Sequence, residues 1–211
     1  RVRLAERASD PVLSAMCFDP HPEVIQALFK NHSVGMAQAR LVAEHHRNPA
    51  GLQALGQRTQ FLSDSAVIRL LMRNQQTPDA IFRRLFSPLP LIRLFKSTRG
   101  REATQRAKRA ARQTLRQSFQ RSDGEEQAGL IYRTQARCLT QLTGLHFNPK
   151  ATALLCRRTY NSTIMIQNLA RFPGTPPKLI EHLLRQPVVK RQVQLRNLLK
   201  RHSNCPASLK R

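Results

Sequence analysis

Six prolines recur at matching places along the chain, and this periodicity restricts the fold more than any other feature. They are Pro22, Pro49, Pro78, Pro149, Pro176 and Pro206, separated by 27, 29, 71, 27 and 30 residues. The 71-residue gap has room for two units plus an insertion. The residues before them are His21, Asn48, Thr77, Asn148, Thr175 and Cys205. Asn and Thr are good N-caps, and proline suits the first helical position because its missing N–H has no partner there. Each such pair therefore marks a helix start. Three residues on stand Ile25, Leu52, Ile81, Leu179 and Leu209, and a further leucine follows at the next turn in Leu28, Leu55, Leu85, Leu155 and Leu183. Thr152 interrupts the pattern, so Leu154 and Leu155 are expected to carry the apolar face of that helix.

Each unit holds a second helix, with candidates at Val34–Glu44, Asp64–Arg73, Ser162–Arg171 and Val188–Arg201. In the last, Val188, Val189, Val193, Leu195, Leu198 and Leu199 recur every three to four residues and mark a buried stripe. Lys190, Gln194, Asn197 and Arg201 share the opposite, wet face. Several second helices close on a basic residue, as at Arg73, Arg171 and Arg201, where a cation complements the helix dipole. A helical hairpin of this length cannot bury its apolar face alone. Stacked hairpins give a solenoid with one continuous core. The expected fold is an all-α solenoid of hairpin repeats of about 27–30 residues with a basic helical insertion in the middle. Its parts are an N-terminal cap at 1–17, a first repeat block at 18–95, the insertion at 96–126 and a second block at 127–211.

The segments Leu71-Met72-Arg73-Asn74-Gln75-Gln76-Thr77-Pro78-Asp79-Ala80-Ile81 and Leu169-Ala170-Arg171-Phe172-Pro173-Gly174-Thr175-Pro176-Pro177-Lys178-Leu179 resemble the leucine-rich repeat variant family, a HEAT-like all-helical solenoid. The resemblance covers roughly residues 18–90 and 145–211, with units longer than is usual for that family. Its founding example couples the repeats to a clustered-cysteine iron–sulfur module. Cys17, Cys138, Cys156 and Cys205 lie far apart, so the resemblance implies the fold and no cofactor. Some HEAT-like proteins bind duplex DNA along a basic groove and a few are base-excision glycosylases, which the resemblance brings into view for this chain.

Charge narrows the partner. The chain carries 36 Lys and Arg against 12 Asp and Glu, a formal net charge of +24. Residues 1–45 balance, with five of each sign, whereas 46–122 hold 16 basic residues against three acids and 127–211 hold 15 against one. A compact body with this imbalance repels itself, which ties the field to a polyanionic partner. Nucleic acid is the first candidate, because Lys and Arg release counterions condensed on its phosphates. Arg outnumbers Lys, and its fork matches phosphate oxygens bidentately.

The densest stretch is Lys96–Arg121, nine basic residues with Glu102 as the one acid. Ala, Gln and Arg favour helix here, and Ala103, Ala107, Ala110, Ala111, Thr114 and Ser118 form a narrow stripe of small residues. Ser122-Asp123-Gly124 reads as loop and hinge. A second amphipathic helix is expected over about Glu125–Thr143, with Leu130, Ile131, Cys138, Leu139 and Leu142 inward. The candidate phosphate contacts are Arg101, Arg106, Lys108, Arg109, Arg112 and Arg116, with Arg157, Arg158, Lys190, Arg191, Lys200 and Arg201 as a second patch.

Trp is absent and only Tyr132 and Tyr160 represent Tyr, which offers little for stacking on unpaired bases. The first reading is a non-catalytic binder of the phosphate backbone of duplex DNA or structured RNA, ribosomal RNA included. The alternative is a scaffold for an acidic protein partner within a larger assembly, with the neutral N-terminal region as its docking cap. A glycosylase would need a carboxylate beside a flipped base, and Asp64 and Asp79 already read as helix-start residues. Neither a metal site nor a nucleophile motif stands out. The adjacent His45 and His46 point about 100° apart on a helix, a poor two-point ligand. No apolar run reaches the length of a membrane span. Cysteines that read as reduced and packed point to an intracellular, cytoplasmic site, with a nucleoid, ribosome or organelle association left open.

Overall fold

A computed structural model describes residues 1–210 and shows an all-α protein, with no strand among the described residues. The chain packs as two compact units, Arg1–Leu89 with Lys96–Thr114, and Pro90–Phe95 with the described residues from Leu115 onward. The first unit contains α1 (Val2–Ala5), α2 (Val12–Met16), α3 (Pro22–Leu28), α4 (Met36–His45), α5 (Pro49–Gln57), α6 (Ser65–Arg73) and α7 (Asp79–Phe86). Two helices, α8 (Leu91–Ser97) and α9 (Gln105–Arg121), contribute to both units. The second unit holds α10 (Gly124–Arg133), α11 (Pro149–Cys156), α12 (Thr163–Arg171), α13 (Pro177–Leu184), α14 (Pro187–Arg191), α15 (Val193–Lys200) and α16 (Ala207–Lys210).

Alternate helices pack together in the first unit, whereas in the second the consecutive helices α10 and α11 also pack closely. In the first, α1, α3, α5 and α7 pack in succession, and so do α2, α4 and α6. In the second, α11 packs on α13 and α12 on α15. The residues that follow the prolines form the core: Ile25, Leu28, Leu52, Leu55, Ile81, Leu85, Leu155, Leu179 and Leu183 are all buried. Each such side chain contributes about 1.5–3 kcal/mol on leaving water.

Buried polar side chains bind the backbone of the preceding helix in the same succession. Asn31 donates to the carbonyls of Ala5 and Ala8, at 2.9 and 2.8 Å. Asn74 donates to Ala43 and His46, both at 2.9 Å. Their Oδ1 atoms accept from the N–H groups of Ser33 and Gln76, two residues on. Late in the second unit, Asn204 reaches the carbonyls of Pro173 and Thr175, both at 3.0 Å. The bonds to Ala5, Ala43 and His46 fill carbonyls that a helix end leaves without an intrahelical partner, and the rest fill carbonyls of the connecting segments.

Helix starts split into two types. Asn48 and Asn148 cap α5 and α11 as expected, accepting from Ala50 and Lys150 N–H. Asp64 caps α6 through two N–H bonds, and Ser162 caps α12. Thr77 and Thr175 do not cap. Each hydroxyl turns back to the carbonyl six residues earlier, Leu71 at 2.7 Å and Leu169 at 2.6 Å, and the following proline is itself the N-cap. His21 makes no side-chain cap bond. Thr152 faces inward, with Leu154 only half-buried, because its hydroxyl is satisfied by the Asn148 carbonyl.

Three expected elements differ. The stretch Val188–Arg201 is two helices, broken where Gln192 is extended (φ −115°, ψ 103°), and this leaves Val193 exposed rather than in a buried stripe. The stretch Glu125–Thr143 ends as an α-helix at Arg133, because Gln135 and Ala136 take positive φ. A 3₁₀ turn over Arg137–Gln141 then returns Cys138 and Leu139 to the core. Ser122-Asp123-Gly124 is not a hinge. Asp123 caps α10, and Gly124 is buried where a Cβ would lie 2.5 Å from Lys150 Cβ and 2.6 Å from Ala151 N, so only glycine lets α10 approach α11.

Candidate nucleic-acid interface

Helix α9 is the longest element, and its inner stripe differs from the all-small one expected. Ala107, Ala111, Leu115 and Phe119 are buried at four-residue steps, while Ala110, Thr114 and Ser118 are half-buried. In the first unit its start is anchored: Thr104 N–H donates to the Met72 carbonyl at 2.9 Å, and its hydroxyl accepts from Ala107 N–H at 3.2 Å. Arg106 pairs with Asp79 at 2.7 Å, and Glu102 meets Arg73 at 3.8 Å. Arg109 and Arg112 are exposed, Lys108 is half-buried, and none of the three forms an ion pair or hydrogen bond among the described residues. Arg101 lies exposed in the bend before the helix. In the second unit Arg116 turns to the backbone, donating to the carbonyls of Gln141 at 3.0 Å and Thr143 at 2.9 Å.

The rest of the candidate patch lies at helix C-termini of the second unit. Arg157 is the C-cap of α11 and Arg158 the next residue, with its guanidinium 4.2 Å from the centroid of the Tyr132 ring. Lys190 and Arg191 end α14, Lys200 ends α15 and Arg201 is its C-cap. A cation at a helix C-terminus gains about 0.3–1 kcal/mol from the dipole. That gain leaves most of each guanidinium's donors unfilled. Arg101, Arg109, Arg112, Arg157, Lys190, Arg191 and Arg201 are all exposed, and among the described residues none makes an ion pair. Arg106 and Arg116 are engaged internally and Arg158 is stacked.

Some arginines that the sequence did not single out are structural. Arg58, just past α5, donates through Nε (2.8 Å) and through a second nitrogen to the Phe29 carbonyl at the end of α3. Arg84 in α7 donates to the Gly56 carbonyl in α5 at 2.8 Å. The two bonds span 29 and 28 residues, close to the spacing of the prolines, the one signal that marks them in the sequence. Histidine takes this role in the second unit. His182 Nε2 lies 2.7 Å from the Arg158 carbonyl, and His202 Nε2 2.9 Å from that of Phe172. Because Asn204 N–H donates to His202 Nδ1, that ring is the neutral tautomer with its proton on Nε2.

The remaining reactive side chains sit in quiet surroundings. Burial pushes the Cys17 and Cys138 thiols up to about 11 and raises Cys156, so all three remain protonated near neutrality. Burial likewise raises the Tyr160 hydroxyl, which donates to the Leu155 carbonyl. The carboxyl of Asp64 falls to about 2, first through its bond to Arg40 and then through the Val67 N–H it caps. His45 is exposed and His46 buried, and no three His, Cys, Asp or Glu side chains gather to hold a metal among the described residues. No helix among them is long and apolar enough to cross a membrane.

Compared with protein-family models, with curated proteins and with solved structures, the chain matches none.

Proposed function

We propose that the chain is a helical-repeat protein, akin to the leucine-rich repeat variant and HEAT-like solenoids, that binds the phosphate backbone of duplex DNA or structured RNA without catalysing a reaction. The carrying observation is the set of seven exposed cations, Arg101, Arg109, Arg112, Arg157, Lys190, Arg191 and Arg201, with no ion pair among the described residues. Twelve acids cannot neutralise 36 basic residues, and several of those acids are already occupied by Arg1, Arg40, Arg73, Arg106, Lys150 and Arg185. The packing of alternate helices, with Asn and Arg side chains binding the preceding helix, supports the repeat reading.

Binding to a labelled duplex and to a structured RNA, measured between about 50 and 200 mM salt, tests this. A protein that neutralises several phosphates loses roughly 10³-fold or more in affinity over that range. No binding at low salt, or binding indifferent to salt, overturns the proposal.

One observation favours the second reading, a scaffold for a protein partner. Val2, Leu4, Val12, Phe18 and Met36 are exposed, all within the charge-balanced first 45 residues. Recovery of a stoichiometric protein partner after nuclease treatment, with no nucleic-acid binding by the purified chain, would select it.

A further inference from the structure

Most aromatic side chains of the second unit are buried: Phe95, Phe119, Phe147, Tyr160 and Phe172 are each at most 8% exposed. Tyr132, in the last turn of α10, is 42% exposed. Its ring is not idle, because the Arg158 guanidinium lies 4.2 Å from its centroid, the distance of a stacked cation–π contact. A guanidinium plane and a phenol ring each stack on a nucleobase.

The partner of that ring is held firmly. The backbone carbonyl of Arg158 accepts from His182 Nε2 at 2.7 Å. Two residues on, Tyr160 N–H donates to Gln186 Oε1 at 3.1 Å and Tyr160 hydroxyl to the Leu155 carbonyl at 2.9 Å. The Tyr160 ring meets His182 edge-on, 5.9 Å between centroids. The loop that carries Arg158 is thus tied to α11 and α13, and a surface ordered in advance loses little freedom on binding.

Charge decides what such a surface takes. Arg133 follows Tyr132, and Arg157 precedes Arg158, both exposed. Residues 127–211 hold one acid, Glu181, which pairs with Arg185; of the two acids in the first turn of α10, Glu125 pairs with Lys150. An exposed aromatic face with a guanidinium stacked on it, in a stretch that carries 15 basic residues against one acid, fits an aromatic ligand that bears anions, which describes a nucleotide within a chain.

We propose that Tyr132 and Arg158 form a stacking platform for an unpaired base, with Arg133 and Arg157 holding the flanking phosphates. The platform rests on the phosphate-binding reading above and makes its ligand a nucleic acid with a loop or bulge in preference to an unbroken duplex.

The test compares hairpins carrying 2-aminopurine in a short loop, in RNA and DNA versions, with perfectly paired duplexes of each. The wild-type protein and Tyr132→Phe should quench the loop fluorophore and prefer the hairpin. Tyr132→Ala should lose roughly tenfold in hairpin affinity and the quench, with duplex affinity changed less than about twofold. Tyr132→Leu, which keeps an apolar body without a π face, should behave like the alanine variant and controls for folding. A preference for one hairpin version over the other assigns the sugar of the natural ligand. Full hairpin preference and quench in Tyr132→Ala and Tyr132→Leu would overturn the platform and leave phosphate binding intact. Absence of binding to every probe at low salt would overturn the phosphate reading and the platform with it.

Discussion

The succession α3–α5–α7 in the first unit and the pair α11–α13 in the second meet the same need with different chemistry. In the first, Arg58 and Arg84 fill the carbonyls at the ends of α3 and α5. In the second, His182 fills the carbonyl that follows α11. A helix end needs a donor, and either an arginine or an imidazole N–H supplies one. What differs is the charge left over. Where histidine binds the backbone, Arg157, Lys190, Arg191 and Arg201 remain outward and unpaired among the described residues. The number of arginines alone therefore overstates the cations open to a ligand in the first unit more than in the second.

The strongest way to break this comparison is to remove a donor that serves several backbone groups. Asn74→Ala strands the carbonyls of Ala43 and His46 and the N–H of Gln76. It should cost about 2–4 kcal/mol in urea unfolding. His202→Ala, which frees the Phe172 carbonyl and Asn204 N–H, should fall in the same range. A loss below about 0.5 kcal/mol in both would show that these bonds are replaced by water. Gly124→Ala should follow at about 1–3 kcal/mol, because its methyl meets backbone and Cβ atoms that cannot swing aside.

Much of this architecture is legible from residue order. The x-Pro spacing and the leucines behind it locate the helix starts and the core, since proline position and apolar period are local properties of the chain. The breaks at Gln192 and at Gln135–Ala136 are not legible, because nothing in those side chains forbids helix and neighbouring packing decides the backbone. The candidate phosphate-binding residues are legible as charge only. Arg116 and Arg112 are four residues apart in one helix, yet one holds two carbonyls and the other faces water. Tertiary position, not residue type, separates them.

Smaller effects sharpen the comparison. Arg84→Ala should lower stability by about 1 kcal/mol, the net worth of one hydrogen bond, and leave nucleic-acid affinity nearly unchanged. Acid should weaken the first unit through His46, whose burial holds its pKa below the ordinary 6.5. The neutral ring is favoured in the folded chain, so its contribution is complete above pH 6.5 and declines below it as the unfolded chain takes up the proton first. His46→Gln should flatten the dependence of unfolding free energy on pH just below that value. Asp64 acts lower still: its stabilising pair with Arg40 is complete above pH 3.8 and is lost as pH falls toward about 2, and Asp64→Asn should remove that slope.

The division between committed and unpaired arginines is tested most directly by the slope of log affinity against log salt for nucleic-acid binding. Changing Arg109, Arg112, Arg157 and Arg191 to Gln should reduce that slope by about 0.9 for each phosphate no longer neutralised, with the melting temperature lowered by no more than a few degrees through the two lost helix-end cations. Changing Arg58 and Arg84 instead should lower the melting temperature and preserve the slope. If the second pair flattens the slope and the first four leave it intact, the assignment of which arginines face the ligand is wrong.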